Sequence, residues 1–152
     1  SRDALREVVV ADADFKDAFM RRSIPAAGRH AKVVRYILSE LERHLGTVDM
    51  SDETTSATIE HVLPENPTPE WRVEFDHEKH ARYVSRLGNY TLLEPAINRQ
   101  LGAAGFSAKR DGFERSNYQL SKRIDQPEWS PGIIEARQRK MAEWAAAIWH
   151  LS

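Results

Sequence analysis

The hydrophobic positions in the first third of the chain repeat at helical spacing. A first helix is predicted after the possible N-caps Asp12 and Asp14. Its repeat consists of Phe15, Ala18, Phe19 and Arg22. A longer helix is predicted after Pro25 and Gly28, and Gly46 is well placed to end it. Its apolar face is formed by Val33, Val34, Ile37, Leu38, Leu41 and Leu45.

The pattern changes in the middle of the chain, where two short apolar runs are typical of strands. The first run is Ala57–Leu63 and the second is Tyr90–Leu93. Residues 64–76 contain three prolines and no clear period, so a loop is predicted there. A helix is predicted from a cap at Asp76 to about Leu87. These elements predict a β-hairpin with a long connection.

The last part of the chain is predicted to be helical. Pro95 suits the first turn of a short helix that ends near Gly102, and another helix is predicted over Phe106–Ser116. The final helix has Ser130 as its cap and Pro131 in its first turn. Its apolar stripe is Ile134, Met141, Trp144, Ala145 and Ile148.

Two short strands do not form a stable sheet alone, so the hairpin is expected to pack on helices. The predicted fold is mainly α with a small β-hairpin. Residues 1–56 are interpreted as a helical lead-in, 57–125 as a ββα core with basic helices, and 126–152 as a C-terminal packing helix. A chain of 152 residues fits one globular domain. It does not begin with Met, and we expect an internal fragment of a longer protein.

Composition narrows the classes of site that the chain can contain. The sequence has no cysteine, which excludes disulfides and Cys-ligated zinc and fits a reducing cytoplasm. No apolar run approaches the ~20 residues of a membrane span. The net charge is −1, but acids dominate residues 47–78 and bases dominate residues 79–123. This division fits two solvated faces, or a cation site beside a phosphate-binding surface.

Five polar residues near the predicted strands have the chemistry of a hydrolytic site. His61 follows Glu60 at the end of the first strand, Asn89 begins the second strand, and Asn98 lies on a short helix beside Arg99. Histidine accepts a proton near neutral pH, carboxylate and amide oxygens suit Mg²⁺, and arginine binds phosphate. Together they are suited to metal-assisted phosphodiester hydrolysis. Taken singly, such residues are more often structural histidines, caps or turn residues.

The wider sequence resembles one family of restriction enzymes. The ordered segments are Glu60–Pro64, Leu87–Leu93, Asn98, Phe106 and Lys109. The closing stretch adds Trp129, Arg137, Met141, Trp144 and Ile148–Trp149. The chain is similar over most of its length to the HNH-like domain at the C-terminus of GmrSD-type, modification-dependent restriction and phage-defence proteins.

The resemblance implies a ββα-metal fold of the HNH, or His-Me finger, nucleases. His61 and Asn89 would be the catalytic residues, His61 as general base and Asn89 as the residue that ties the loop of the ββα unit. Asn98 and Glu60 would be the metal ligands. Glu60 is one methylene longer than the aspartate common at that position, so direct and water-mediated ligation both stay open. The implied cofactor is Mg²⁺, with Mn²⁺ as the alternative.

The resemblance also implies partners. DNA would be the substrate, nicked one strand at a time in an anti-phage system, and an upstream nucleotide-dependent sensing domain would direct the cut. Phosphate contacts are assigned to Arg99, Lys109, Arg110 and Arg115, with plain solvated roles as the alternative. Two rival functions are a non-catalytic DNA-binding or regulatory module and a helical protein-interaction domain.

Overall fold

Helices make up most of the structure, with one small sheet among them. The computed structural model of the chain describes residues 13–46 and 56–149, and residues 13–21 form helix α1. Further elements are α2 (Arg29–His44), β1 (Thr58–His61), α3 (His77–Tyr83), β2 (Tyr90–Leu93), α4 (Pro95–Leu101), α5 (Phe106–Arg115), α6 (Gln119–Lys122) and α7 (Pro131–Ile148). Two 3₁₀ turns are Pro69–Val73 and Leu87–Asn89. The predicted mainly α fold with a β-hairpin is confirmed.

The two strands form an antiparallel hairpin that lies between two hydrophobic cores. Thr58 pairs with Leu93, Ile59 with Leu92, Glu60 with Thr91, and His61 with Tyr90. Successive strand residues project to opposite faces. Leu92 accordingly packs in one core and Leu93 in the other. Glu60 and His61 therefore point to opposite faces of the same short hairpin.

Each core draws on a different set of helices. The first joins α1, α2 and α7 to one face of the hairpin and includes Phe19, Val34, Leu38, Leu41, Tyr90, Leu92, Met141 and Ala145. The second lies beneath the turn after β1 and includes Val62, Leu63, Trp71, Phe75, Leu93, Phe113, Trp129 and Ile134. Complete burial of one large apolar side chain contributes roughly 1.5–3 kcal/mol. The segment that carries His61 is thus held on a packed base.

Helix α7 fixes the turn that precedes β2. Its cap is Ser130, whose Oγ accepts a hydrogen bond from the Ile133 amide at 3.3 Å. The buried Gln138 accepts from the Gly88 amide at 2.9 Å and donates to the Phe19 carbonyl at 2.8 Å. A Cβ on Gly88 would lie 2.4 Å from the Ile134 carbonyl oxygen, so this close approach requires glycine.

The helix predicted from Asp76 to about Leu87 is shorter in the structure and ends at Tyr83. Tertiary contacts override the helical pattern beyond that point. Arg86 forms a β-bridge with Ser23, and its Nε donates to Gln138 Oε1 at 2.9 Å. The chain must leave the helix to make both contacts.

Two further local features differ from the expectations drawn from the sequence. Val33, predicted on the buried face of α2, is 46% exposed. The short helix α6 was not predicted, and its first amides are capped by the distant Glu42, at 2.8 and 2.9 Å. The cap proposed at Asp12 lies outside the described residues.

No helix in residues 13–46 or 56–149 combines the length and apolar character needed to cross a bilayer.

Candidate active site

His61 is the last residue of β1, and its ring is anchored on one side. The imidazole meets the ring of its cross-strand partner Tyr90 edge-on, with centroids 4.9 Å apart and an interplanar angle of 79°. The side chain is 15% exposed. The strand predicted to run to Leu63 ends here, because Val62 and Leu63 turn into the second core. A strand end therefore presents one edge of a held imidazole to solvent.

The surroundings of His61 favour its neutral form. Burial lowers the pKa of the imidazole, and the positive charges of Lys109 and His80 lower it further. The Glu65 carboxylate opposes this shift, with its Oε1 3.7 Å from Nε2 of His61. A neutral imidazole at pH 7 has a nitrogen lone pair available to accept a proton.

Asn89 uses its whole side chain to hold the turn that follows His61. Its Oδ1 accepts from the Leu63 amide at 2.8 Å and from Trp129 Nε1 at 3.1 Å. Its Nδ2 donates to the carbonyls of Leu63 and Val84, both at 3.0 Å. The residue is 0% exposed, so it has no surface for a substrate. These contacts fit the loop-tying role expected of Asn89, which makes it a positioning residue beside His61.

Glu60 lies on the opposite face of the hairpin and is 6% exposed. Its Oε1 is 3.5 Å from the ammonium of Lys109, whereas its buried Oε2 has no hydrogen-bond partner among the described residues. Burial raises the pKa of this carboxyl, and Lys109 opposes the shift. Among the described residues, only one of the two carboxylate oxygens therefore has a partner.

Lys109 was expected to bind a DNA phosphate, and the structure contradicts that expectation. Its side chain is 0% exposed, so no phosphate can reach the ammonium. The Nζ donates to the carbonyls of His61 at 2.8 Å and Val62 at 3.1 Å, and it also faces Glu60. Burial lowers the pKa of this lysine, and the Glu60 carboxylate opposes the shift.

Asn98 lies on α4 against the hairpin face that carries Glu60. Its Nδ2 donates to Thr58 Oγ1 at 2.8 Å, and that hydroxyl donates to the Leu93 carbonyl at 2.8 Å. Thr58 and Glu60 are alternate residues of β1 and share a face. Within the described part of the chain, Oδ1 of Asn98 accepts no hydrogen bond, which leaves it free for another ligand.

The donor set suits a hard cation better than a soft one. No three His, Cys, Asp or Glu side chains cluster as a metal site in residues 13–46 and 56–149. Two oxygens without a hydrogen-bond partner among the described residues belong to this face of the hairpin, Oε2 of Glu60 and Oδ1 of Asn98. Mg²⁺ is commonly held by one or two protein oxygens and completes its shell with water and substrate phosphate. The residues present fit such an ion.

The three predicted arginines differ in their availability. Arg99 is exposed on α4. Arg115 is also exposed, and its guanidinium contacts Oε1 of Gln100 at 3.4 and 3.5 Å. Arg110 is half-buried and donates to the Gln126 carbonyl at 3.1 Å. Arg99 and Arg115 therefore offer the freer guanidinium groups for a phosphate backbone.

The sequence interpretation assigned no role in the site to four residues that surround it. Glu65 and Tyr90 contact the His61 ring, and His80 lies near it with Nε2 2.9 Å from the Pro64 carbonyl oxygen. Thr58 is the hydrogen-bond partner of Asn98. A signal for Glu65 existed in its position four residues after the histidine, which is close enough for a tight turn to bring them together.

Comparison with known proteins gave one family. Residues 9–144 match the family described as the C-terminal domain of GmrSD restriction endonucleases. The match covers the hairpin, the flanking helices and most of α7. No curated protein matches the chain.

Proposed function

Since the chain belongs to the GmrSD restriction endonuclease C-terminal domain family, we propose that it is a metal-dependent nuclease that nicks DNA with His61 as general base. The observation that carries this proposal is the His61 imidazole. It is anchored on Tyr90, open at one edge, and shifted toward its neutral form at the end of β1. An accessible edge and a neutral ring are what a general base needs to accept a proton from water.

The proposed reaction is hydrolysis of a phosphodiester. His61 accepts a proton from water, and the resulting hydroxide forms a bond to phosphorus while the bond to the 3′ oxygen breaks in line. That oxygen leaves with the bonding electron pair and takes a proton from solvent. Arg99 and Arg115 hold neighbouring phosphates. Asn98 and Glu60 would hold Mg²⁺, which supplies positive charge against the scissile phosphate and the leaving oxygen.

The hairpin provides a reason why these residues are divided between two faces. In an in-line displacement, the attacking water and the leaving oxygen lie on opposite sides of phosphorus. In the proposed reaction His61 would act from one face of β1, and Asn98 would offer its free Oδ1 to the ion from the other face. The alternation of a single strand thus fits the geometry that the proposed reaction needs.

The proposed partners follow from the kinds of contact available. Arginine contacts to phosphate carry no sequence information, so target choice would fall to a sensing domain upstream in the same protein. One site cuts one strand, and a double-strand break would need two domains or two encounters. The proposed location is the cytoplasm, where a restriction nuclease meets invading DNA.

The decisive experiment is nicking of a supercoiled plasmid by the purified chain. We expect relaxed circles with Mg²⁺ or Mn²⁺ and none with EDTA. His61→Ala should lower the rate by ~10²–10⁴, the usual loss for a general base. His77→Ala removes an exposed histidine on α3 and serves as the control. Wild-type nicking by His61→Ala, or no dependence on a divalent metal, would overturn the proposal.

A further inference from the structure

Lys109 is a buried cation to which the proposed chemistry assigns no role. An ammonium has three hydrogens to donate. Three oxygens face this one: the carbonyls of His61 and Val62 at 2.8 and 3.1 Å, and Oε1 of Glu60 at 3.5 Å. With the side chain 0% exposed, no donor remains for a substrate. The ammonium is fully occupied by the segment that ends β1.

The surrounding contacts fix that segment from two directions. Lys109 binds the carbonyls of His61 and Val62, while the Val62 amide donates to the Asn89 carbonyl at 2.9 Å. The Asn89 side chain then holds both the amide and the carbonyl of Leu63. An apolar side chain in place of Lys109 would leave two inward-facing carbonyls unpaired. The buried lysine therefore stabilises the backbone of His61 and Val62 in this conformation.

We infer that Lys109 is a positioning residue for His61, acting through the backbone carbonyls of His61 and Val62; this inference rests on the proposed function. The direction of the imidazole depends on the peptide planes on either side of its Cα. A displacement of about 1 Å in a reacting group costs roughly 10²-fold in rate. Lys109 keeps the ring where a water on the phosphate can reach it.

The test compares Lys109→Met with Lys140→Met. Both remove one positive charge, but Lys140 is exposed and pairs with Glu143 at 3.2 Å. We expect Lys109→Met to lower kcat by roughly 10²-fold with little change in the KM for plasmid, at a temperature where both variants are folded. The Lys140 variant should keep the wild-type kcat. Wild-type kcat in folded Lys109→Met would overturn the inference.

A double variant separates positioning from general support of the fold. In a His61→Ala background, Lys109→Met should cause no further loss of the residual rate, because groups that act as a unit are non-additive. An independent, multiplicative loss would show that Lys109 does not act through His61. If His61→Ala itself keeps full activity, the proposed function fails and the inference fails with it; loss of activity in His61→Ala together with wild-type kcat in Lys109→Met overturns the inference alone.

Lys109→Arg covers the case in which Lys109→Met does not fold. Arginine keeps the buried charge, but its planar donors cannot reproduce the three directions of an ammonium. We expect a folded protein with reduced kcat, unchanged KM and the same non-additivity with His61→Ala. Wild-type kcat in Lys109→Arg would overturn the inference.

Discussion

Asn89 and Asn98 lie nine residues apart and have opposite surroundings. Asn89, in the 3₁₀ turn before β2, is fully buried, and its side-chain amide makes four hydrogen bonds to protein atoms. Asn98, on α4, makes one hydrogen bond through Nδ2 and leaves Oδ1 free. The comparison teaches that one asparagine is used up by the fold, whereas the other keeps an oxygen with which it could bind the ion that we propose.

The largest effect is expected for Asn89→Ala. Truncation leaves the Leu63 amide and carbonyl, the Val84 carbonyl and Trp129 Nε1 without their partner in a buried place. Each such group costs about 1–3 kcal/mol, so for the four groups together we expect a loss of at least about 4 kcal/mol in the free energy of unfolding. Urea denaturation followed by tryptophan fluorescence measures it.

The control for Asn89→Ala is Asn66→Ala, which removes an exposed asparagine from the loop after Pro64. It should leave the free energy of unfolding within about 0.5 kcal/mol of wild type. If Asn89→Ala is no less stable than this control, the turn is not held as described.

A smaller effect, of another kind, is expected for Asn98→Ala. Loss of the free Oδ1 should raise the Mg²⁺ concentration for half-maximal nicking by about 10-fold, in the range seen for groups that support a bound metal. Asn98→Asp keeps a hard oxygen and should restore most of the affinity. Nicking rates over a Mg²⁺ series measure both.

Glu60→Ala tests which of the two proposed ligands, Glu60 or Asn98, contributes more to Mg²⁺ binding. It should shift the Mg²⁺ midpoint less than Asn98→Ala does, yet destabilise the fold more, because it leaves the buried Lys109 without its carboxylate. A larger midpoint shift for Glu60→Ala would reverse the ranking.

The exposed arginines should contribute less than either asparagine. Arg99→Gln combined with Arg115→Gln should lower the salt dependence of DNA binding by roughly 0.9 per arginine in log K against log salt. The measurement uses the His61→Ala background so that the DNA stays intact. Arg139→Gln, an exposed change on α7, is the matched control. An unchanged slope in the double variant would place the DNA elsewhere.

The smallest effect concerns pH. Because burial lowers the pKa of His61, kcat/KM should stay level as pH falls to the ordinary histidine value of about 6.5 and decline only below it. Glu65→Gln removes the carboxylate that opposes this shift, so the acid limb should move to still lower pH. A limb that moves to higher pH would contradict the assigned role of Glu65.

Local signals were enough to predict much of the fold. The apolar repeats of α2 and α7, the cap at Ser130 and the prolines that begin α4 and α7 are all read from neighbouring residues. The hairpin was found because β2 is a short apolar run bounded by turn residues. The division into a lead-in, a core and a packing helix stays a prediction.

Long-range contacts account for what the sequence did not reveal. A lysine on a polar helix such as α5 is expected in solvent, and nothing near Lys109 indicates that it meets carbonyls 47 and 48 residues earlier. The early end of α3 depends in the same way on the bridge between Arg86 and Ser23. An ordered motif pointed to His61, Asn89 and Asn98 as candidates, whereas Thr58 and Tyr90 come next to them only through contacts made in the fold.

The contacts of α7 have a consequence for the order of events on the ribosome. Trp129 and Gln138, which hold Asn89 and Gly88, are translated 40 and 50 residues after their partners. A nascent or prematurely terminated chain thus carries His61 before the groups that fix its turn exist. Cleavage competence would arrive only when the last helix has emerged, so that unfinished copies of the proposed nuclease spare the DNA of the cell that makes them.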